Sequence, residues 1–151
     1  MVTKLLLEGA LIEVDCIAVL GGKKETHDFD SSLFPRTVCS PIVKKGNLIF
    51  ISGLAGINVE TNQLVGDDVV TQMSQIFMSA DKMLNAAGVG WKDVLKTVDF
   101  IAPEGRINYR DTANVRRQYF GETLPASTGV FMNQLLRAGF LIQVDFVAVA
   151  D

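Results

Sequence analysis

The chain has 151 residues, 48% apolar and 21% charged, a length and balance that suit one globular domain with its own core. Fourteen basic residues face 17 acidic ones for a net charge of −3, so the basic stripe that nucleic acid requires is missing. Cys16, Cys39 and the single histidine, His27, make no metal-ligand pattern, and no stretch approaches the roughly 18 apolar residues of a membrane span. No metal is therefore expected. With no signal peptide visible, free thiols in the cytoplasm are the expected state.

The first predicted element is also a repeat. Residues 5–19 read LLLEGALIEVDCIAV and residues 135–149 read LLRAGFLIQVDFVAV, with nine of fifteen positions identical. Both copies alternate apolar and polar residues, as a half-buried strand does. The first copy thus resembles the tail of a preceding unit. Residues 21–32 are polar and glycine-led and read as a linker, which leaves 33–151 as the domain proper.

Residues 41–45 and 47–52 read as strands around a Gly46–Asn47 turn, and 57–66 as a turn-rich loop. The strongest helix signal covers 67–88. There Val69, Val70, Met73, Ile76, Phe77, Ala80, Met83 and Leu84 recur at helical spacing, while Gln72, Gln75, Ser79 and Lys82 are placed off that face. A strand over 94–102, a second helix over 107–120, and closing strands over 128–132 and 140–150 complete the order. This order predicts an α+β domain, a single sheet with two helices packed on one face. Ile49, Ile51, Val98, Phe100, Val130, Ile142 and Val144 make both faces of the sheet apolar, so homo-oligomerisation is expected to cover the second.

Four stretches carry a family resemblance: GNLIFISGLAGINVETNQLVGDD (46–68), LNAAGVGWKDVLKTVDFI (84–101), NVRRQYFGETLPAST (114–128) and LIQVDFVAVA (141–150). Together they resemble the RidA family, also called YjgF/YER057c/UK114. The resemblance implies a chorismate-mutase-like fold with one mixed β-sheet, assembled as a homotrimer with a β-barrel core and clefts between subunits. It also implies cofactor-free hydrolytic deamination of enamines and imines.

Such chemistry needs a cation for the substrate carboxylate, a group that handles protons or positions water, and a small polar pocket. In deaminating members an arginine directly follows Pro-Ala; here Ser127 follows Pro125 and Ala126. The water-positioning glutamate falls at Gln143, whose amide can hydrogen-bond water but cannot accept a proton at neutral pH. A cleft tyrosine aligns with Cys39. Losing a buried cation for a carboxylate costs on the order of 2–5 kcal/mol of binding, and an uncharged serine cannot make that up, which argues against 2-aminoacrylate-like amino-acid imines as the substrate.

The resemblance keeps Ser52 and Gly53 at a strand end, Asn114 in the second helix, and Gly129 on the late strand. Ser127 and Thr128 offer hydroxyls to an anion. Ser52 either polarises a ligand or bonds nearby backbone. Asn114 is unfavourable in a helix interior, so a partner is expected for it, ligand or loop carbonyl. Cys39 reads better as a buried small side chain than as a nucleophile.

Glu13 occupies the position equivalent to Gln143 in the first copy of the repeat. It is either a carboxylate offered to a cleft by the N-terminal strand or an ordinary solvent-facing residue. Arg106, Arg110, Arg116 and Arg117 border the second helix and are candidates to replace the missing cation, against a plain solvated helix surface. Trp91 reads as packing.

The expected function is a RidA-like hydrolase or deaminase of a small metabolite with altered specificity. The alternatives are a catalytically silent small-molecule-binding or regulatory trimer and, third, an endoribonuclease. The acidic balance and the lack of a His pair weigh against ribonuclease, and neither nucleic acid nor membrane is an expected partner.

Overall fold

Residues 8–9, 12, 14–27 and 39–151 are described by a computed structural model of the chain. Strand β1 (Lys24–His27) pairs antiparallel with β2 (Ile42–Lys45), which turns through Gly46 into β3 (Leu48–Ala55). Gly46 has φ +61, the left-handed region a tight hairpin turn needs. A small hairpin of β4 (Ile57–Asn58) and β5 (Gln63–Leu64) forms where a turn-rich loop was expected. β1 likewise falls inside the segment read as a linker. Its Lys-Glu-Thr-His sequence has no apolar alternation to announce it, and only pairing with β2 makes it a strand.

Helix α1 (Val69–Ala86) opens at Asp68, whose Oδ1 accepts from the Val70 and Thr71 backbone N–H groups at 3.0 and 2.9 Å. The Thr71 hydroxyl and these N–H groups hold the Asp68 carboxyl below its ordinary range. Strand β6 (Val94–Ile101) leads through two short 3₁₀ turns into α2 (Thr112–Phe120), shorter at its start than the expected helix. Strands β7 (Ala126–Phe131) and β8 (Ile142–Val149) follow.

The main sheet has the order β1-β2-β3-β8-β6-β7, antiparallel except for β6 and β7, which are parallel and joined by the α2 crossover. One mixed sheet with two helices is the fold expected from the residues. Strict alternation in β8 turns Ile142, Val144, Phe146 and Ala148 inward and leaves Gln143, Asp145, Val147 and Val149 half-buried on the outer face. Phe77 of α1 anchors the inner layer, stacked on Trp91 with centroids 4.9 Å apart and edge-on to Phe120 and Phe146. The Trp91 indole N–H donates to Asp81 at 2.7 Å.

Two expectations about placement change. Gln72 and Ser79, placed off the α1 core face, are buried, Gln72 completely. Gln72 follows Val69 by three and precedes Ile76 by four, so helical geometry puts it among them. The N-terminal copy of the repeat differs too: residues 14–20 belong to no strand, and Ile12, Val14, Ile17 and Leu20 are 70–99% exposed. Most of residues 1–13, Glu13 among them, lie outside the described residues.

Candidate functional site

Two polar regions stand at different places on the sheet. The first begins with a bulge in β3. Ile51 pairs with Phe146 and Leu54 with Val144, so three steps on β3 match two on β8, with Ser52 and Gly53 between them. The Ser52 backbone N–H donates to the Pro41 carbonyl at 2.9 Å, and its hydroxyl donates to the Ser40 carbonyl at 2.8 Å. Ser52 therefore ties the bulge to the segment holding Cys39; of its two readings, the backbone bond is the one present. Cys39 is exposed rather than a buried small side chain, because it lies just before β2 begins, outside the sheet, and it is not joined to Cys16.

Gly53 has no side chain because Gln143 and Asp145 occupy the space. A Cβ there would lie 2.7 Å from Asp145 Oδ1 and collide with the Gln143 amide. Both side chains come from the outer face of β8, two residues apart. Asp145 Oδ1 is buried with no hydrogen-bond partner among the described residues. Burial pushes the Asp145 carboxyl above its ordinary range, and the neighbouring Gln143 amide offsets part of that rise.

Beside this pair lies a cavity of about 220 Å³ with mainly apolar walls, including Leu54, Ile57, Val59 and Phe140. Gly53, Gln143, Ser79 and the exposed Arg137 also line it. Gln72 fastens the loop beside it. Its Nε2 donates to the Gly139 carbonyl at 2.8 Å, and its Oε1 accepts from the Leu141 N–H at 2.9 Å. The loop that carries Arg137 and Phe140 into β8 is thereby fastened to α1. Gly56 makes room for Gln72, since a Cβ there would lie 2.6 Å from the glutamine Cβ.

The second region joins β6, β7 and α2. Asp99 is fully buried, ion-paired with Arg116 and accepting the Tyr109 hydroxyl at 2.5 Å, both on Oδ2. Burial first, then Asp99, pushes the Tyr109 phenol up to about 12. Arg116 Nη1 also donates to Thr97 Oγ1 at 3.3 Å, and the Thr97 hydroxyl meets Ser127 Oγ at 3.0 Å. Of the arginines near α2, Arg116 thus reaches the neighbourhood of Ser127. It arrives already neutralised by Asp99.

Strand register sets where the remaining candidates point. Ser127 and Gly129 pair with Thr97 and Asp99 and share their inward direction, whereas Thr128 pairs with Val98 on the outer face. Gly129 lies close to the Tyr109 hydroxyl, 3.5 Å from a Cβ built there. Asn114 is exposed and accepts from Arg117 Nη1 at 3.1 Å, a contact within its own helix. Among the described residues its partner is thus Arg117 rather than a loop carbonyl.

Within one protomer, then, the candidates form two groups. Cys39, Ser52, Gly53 and Gln143 gather near the β3 bulge; Ser127, Thr128 and Gly129 lie on β7, two strands from β8. Asp145, Gln72, Asp99 and Arg137 escaped the sequence reading. Asp145 had a signal, since alternation in IQVDFVAV places it on the face of Gln143. Among the described residues no cluster of three His, Cys, Asp or Glu side chains is placed to hold a metal ion, and no helix is long and apolar enough to cross a membrane.

Residues 31–150 match the family described as endoribonuclease L-PSP. The chain belongs to this family, the RidA/YjgF family. It is 31% identical over 111 residues to the 2-iminobutanoate/2-iminopropanoate deaminase of Mus musculus, covering 73% of this chain and 79% of the relative. It is 29% identical over 112 residues to a RutC family protein of Pyrococcus horikoshii, covering 74% and 86%. Among solved structures, a Rid-family protein of unknown function from Yersinia pestis superposes with a TM-score of 0.77 at 24% identity, covering 85% of this chain and all of that one. RidA from an Antarctic Psychrobacter gives 0.71, also at 24%, covering 82% and 99%. The RidA fold is thus shared.

Proposed function

We propose that this RidA-family chain is a cofactor-free hydrolase that deaminates a small enamine or imine with altered specificity, in a cleft between subunits of a homotrimer. The observation that carries this reading is the packing at Gly53, where a bare backbone lies beneath a half-buried Asp145 with an unpartnered Oδ1 and beneath Gln143, which lines an apolar cavity. Family membership and the deaminase names of several relatives support it.

The chemistry follows from what the two side chains can do. Hydrolysis adds water to the C=N carbon, releases a proton from that water, and returns a proton to the departing amine nitrogen. Gln143 can orient the water but cannot take its proton. Asp145, on the same face and with a raised carboxyl pKa, is the group suited to accept it and pass it on. The separation of the two candidate groups within one protomer supports a cleft between copies. The half-buried Phe50, Val98, Phe100 and Val147 on the outer face supply the apolar surface that such an assembly covers.

The test is a coupled assay of imine hydrolysis, with imines generated from several amino acids. Turnover above the spontaneous rate is expected, falling about a hundredfold in Asp145→Asn. A flat result across neutral and acidic imines, with small-molecule binding intact, would leave the silent binding trimer as the better reading. The ribonuclease reading would require RNA cleavage that persists through rigorous purification and is lost on a cavity substitution.

A further inference from the structure

The RidA arginine position is Ser127 here, yet the cavity beside Gln143 does not lack a cation. Arg137 lines it from the loop between β7 and β8, on a different element from Ser127. We propose that Arg137 is the specificity-determining cation of this cavity and holds the anionic group of a short aliphatic monocarboxylate whose apolar tail fills the pocket. The inference rests on the reading of this cavity as the site of hydrolysis.

Three observations carry it. First, Arg137 is the cation in this cavity's lining, and its charge is not neutralised. Arg116 is consumed by Asp99, whereas among the described residues Arg137 has no carboxylate partner. Its guanidinium donates to Asn62 Oδ1 at 3.2 Å, which leaves most of the five guanidinium N–H donors open.

Second, Arg137 is positioned before any ligand arrives. Its guanidinium carbon lies 5.5 Å from the centroid of Phe140, itself a cavity wall. Asn62 sits in the β4–β5 turn at φ +54, a left-handed conformation that asparagine tolerates. The turn and the loop are thereby held together through the arginine. Gln72 fixes the same loop from below through Gly139 and Leu141. A cation held this way loses less side-chain freedom on binding an anion.

Third, the cavity suits such a ligand in size and polarity. About 220 Å³ walled by Leu54, Ile57, Val59 and Phe140 takes a short alkyl chain, with the Gln143 amide at one side and the guanidinium at another. A free phosphate or dicarboxylate finds no second cation in this lining.

The experiment uses the full chain with 2-oxobutanoate as a stable probe and 2-oxobutanamide as its uncharged counterpart, titrated by calorimetry or NMR. The wild type is expected to bind the acid at least tenfold more tightly than the amide, and the preference to weaken with added salt. Arg137→Ala should remove that preference while leaving amide binding unchanged, and Arg137→Lys should keep part of it. Because Arg137 is exposed, the variants are expected to melt with the wild type. Asn62→Gly, which removes the tether and keeps the left-handed turn, serves as a second probe and should weaken acid binding by less.

Equal binding of acid and amide to the wild type, no binding of either, or an Arg137→Ala variant that retains the preference overturns the proposal. The hydrolysis assay separates the two failures. Imine turnover that ignores Arg137 sinks the clamp alone, whereas an Arg137-dependent preference without turnover sinks the hydrolase reading alone.

Discussion

Set side by side, the β3–β8 end of the sheet and the β6–β7 edge hold similar polar inventories but differ in the state of their arginines. At the edge, arginine, aspartate, tyrosine and two hydroxyls are bonded to one another, with Asp99 Oδ2 taking two donors, Ser127 closing the chain through Thr97, and Asp99 Oδ1 left without a partner among the described residues. At the other end, Gln143 and Arg137 line a cavity, Asp145 stands two residues along β8 from Gln143 with its Oδ1 likewise unpartnered, and Arg137 has no carboxylate partner among the described residues. An arginine already paired with a buried carboxylate holds structure in place; one without a carboxylate partner beside a cavity is available to a ligand. Charge count alone would have favoured the edge. The bonding state points to the cavity.

The largest effect expected from this contrast comes from Arg116→Ala. It strands a fully buried aspartate and should cost about 3–5 kcal/mol in denaturant unfolding, as for other broken buried pairs. If that variant instead loses ligand binding with little loss of stability, the edge is the working site and the contrast is reversed. Gln72→Ala comes next. It leaves the Leu141 N–H and the Gly139 carbonyl without partners and should cost about 1–3 kcal/mol. It should also loosen the Arg137 loop, visible as faster amide exchange around Leu141.

The smallest effect concerns Asp145 and pH. Its carboxyl is raised in the folded state, so the folded protein holds the proton more tightly than the unfolded chain. Stability from this group is therefore full below the ordinary carboxyl range and declines as pH rises through the raised folded value. Asp145→Asn should flatten that decline, with the variant matching the wild type in acid and gaining on it toward neutral pH. Identical pH profiles for the two proteins would show that Asp145 titrates as an exposed carboxylate.

Much of the fold could be read from periodicity. The α1 stripe, the alternation of β8 and the Gly46 turn each report a local geometry that the backbone imposes on its own residues. The family motifs likewise led to the right sheet and helices. Gln72 resisted because its type says surface while its position says core, and only the loop arriving at Gly139 and Leu141 supplies the partners that make burial tolerable. β1 resisted because an edge strand needs no apolar face of its own.

The candidate site divided along the same line. Gln143 and Gly53 were legible as motif positions, and Asp145 was legible in retrospect as the next residue on the same face. Arg137 and Asn62 stand 75 residues apart, and nothing in either neighbourhood announces the other. The N-terminal copy of β8 shows the reverse: its pattern is that of a strand, yet residues 14–20 form none.

What the sequence by itself determined is therefore whatever depends on neighbours along the chain: the family, the elements, and which side chains share a face. The tertiary structure decided which polar groups found partners, because hydrogen bonds and ion pairs close between segments that only folding brings together. That decision neutralised Arg116 and left Arg137 on the cavity lining without a carboxylate partner among the described residues.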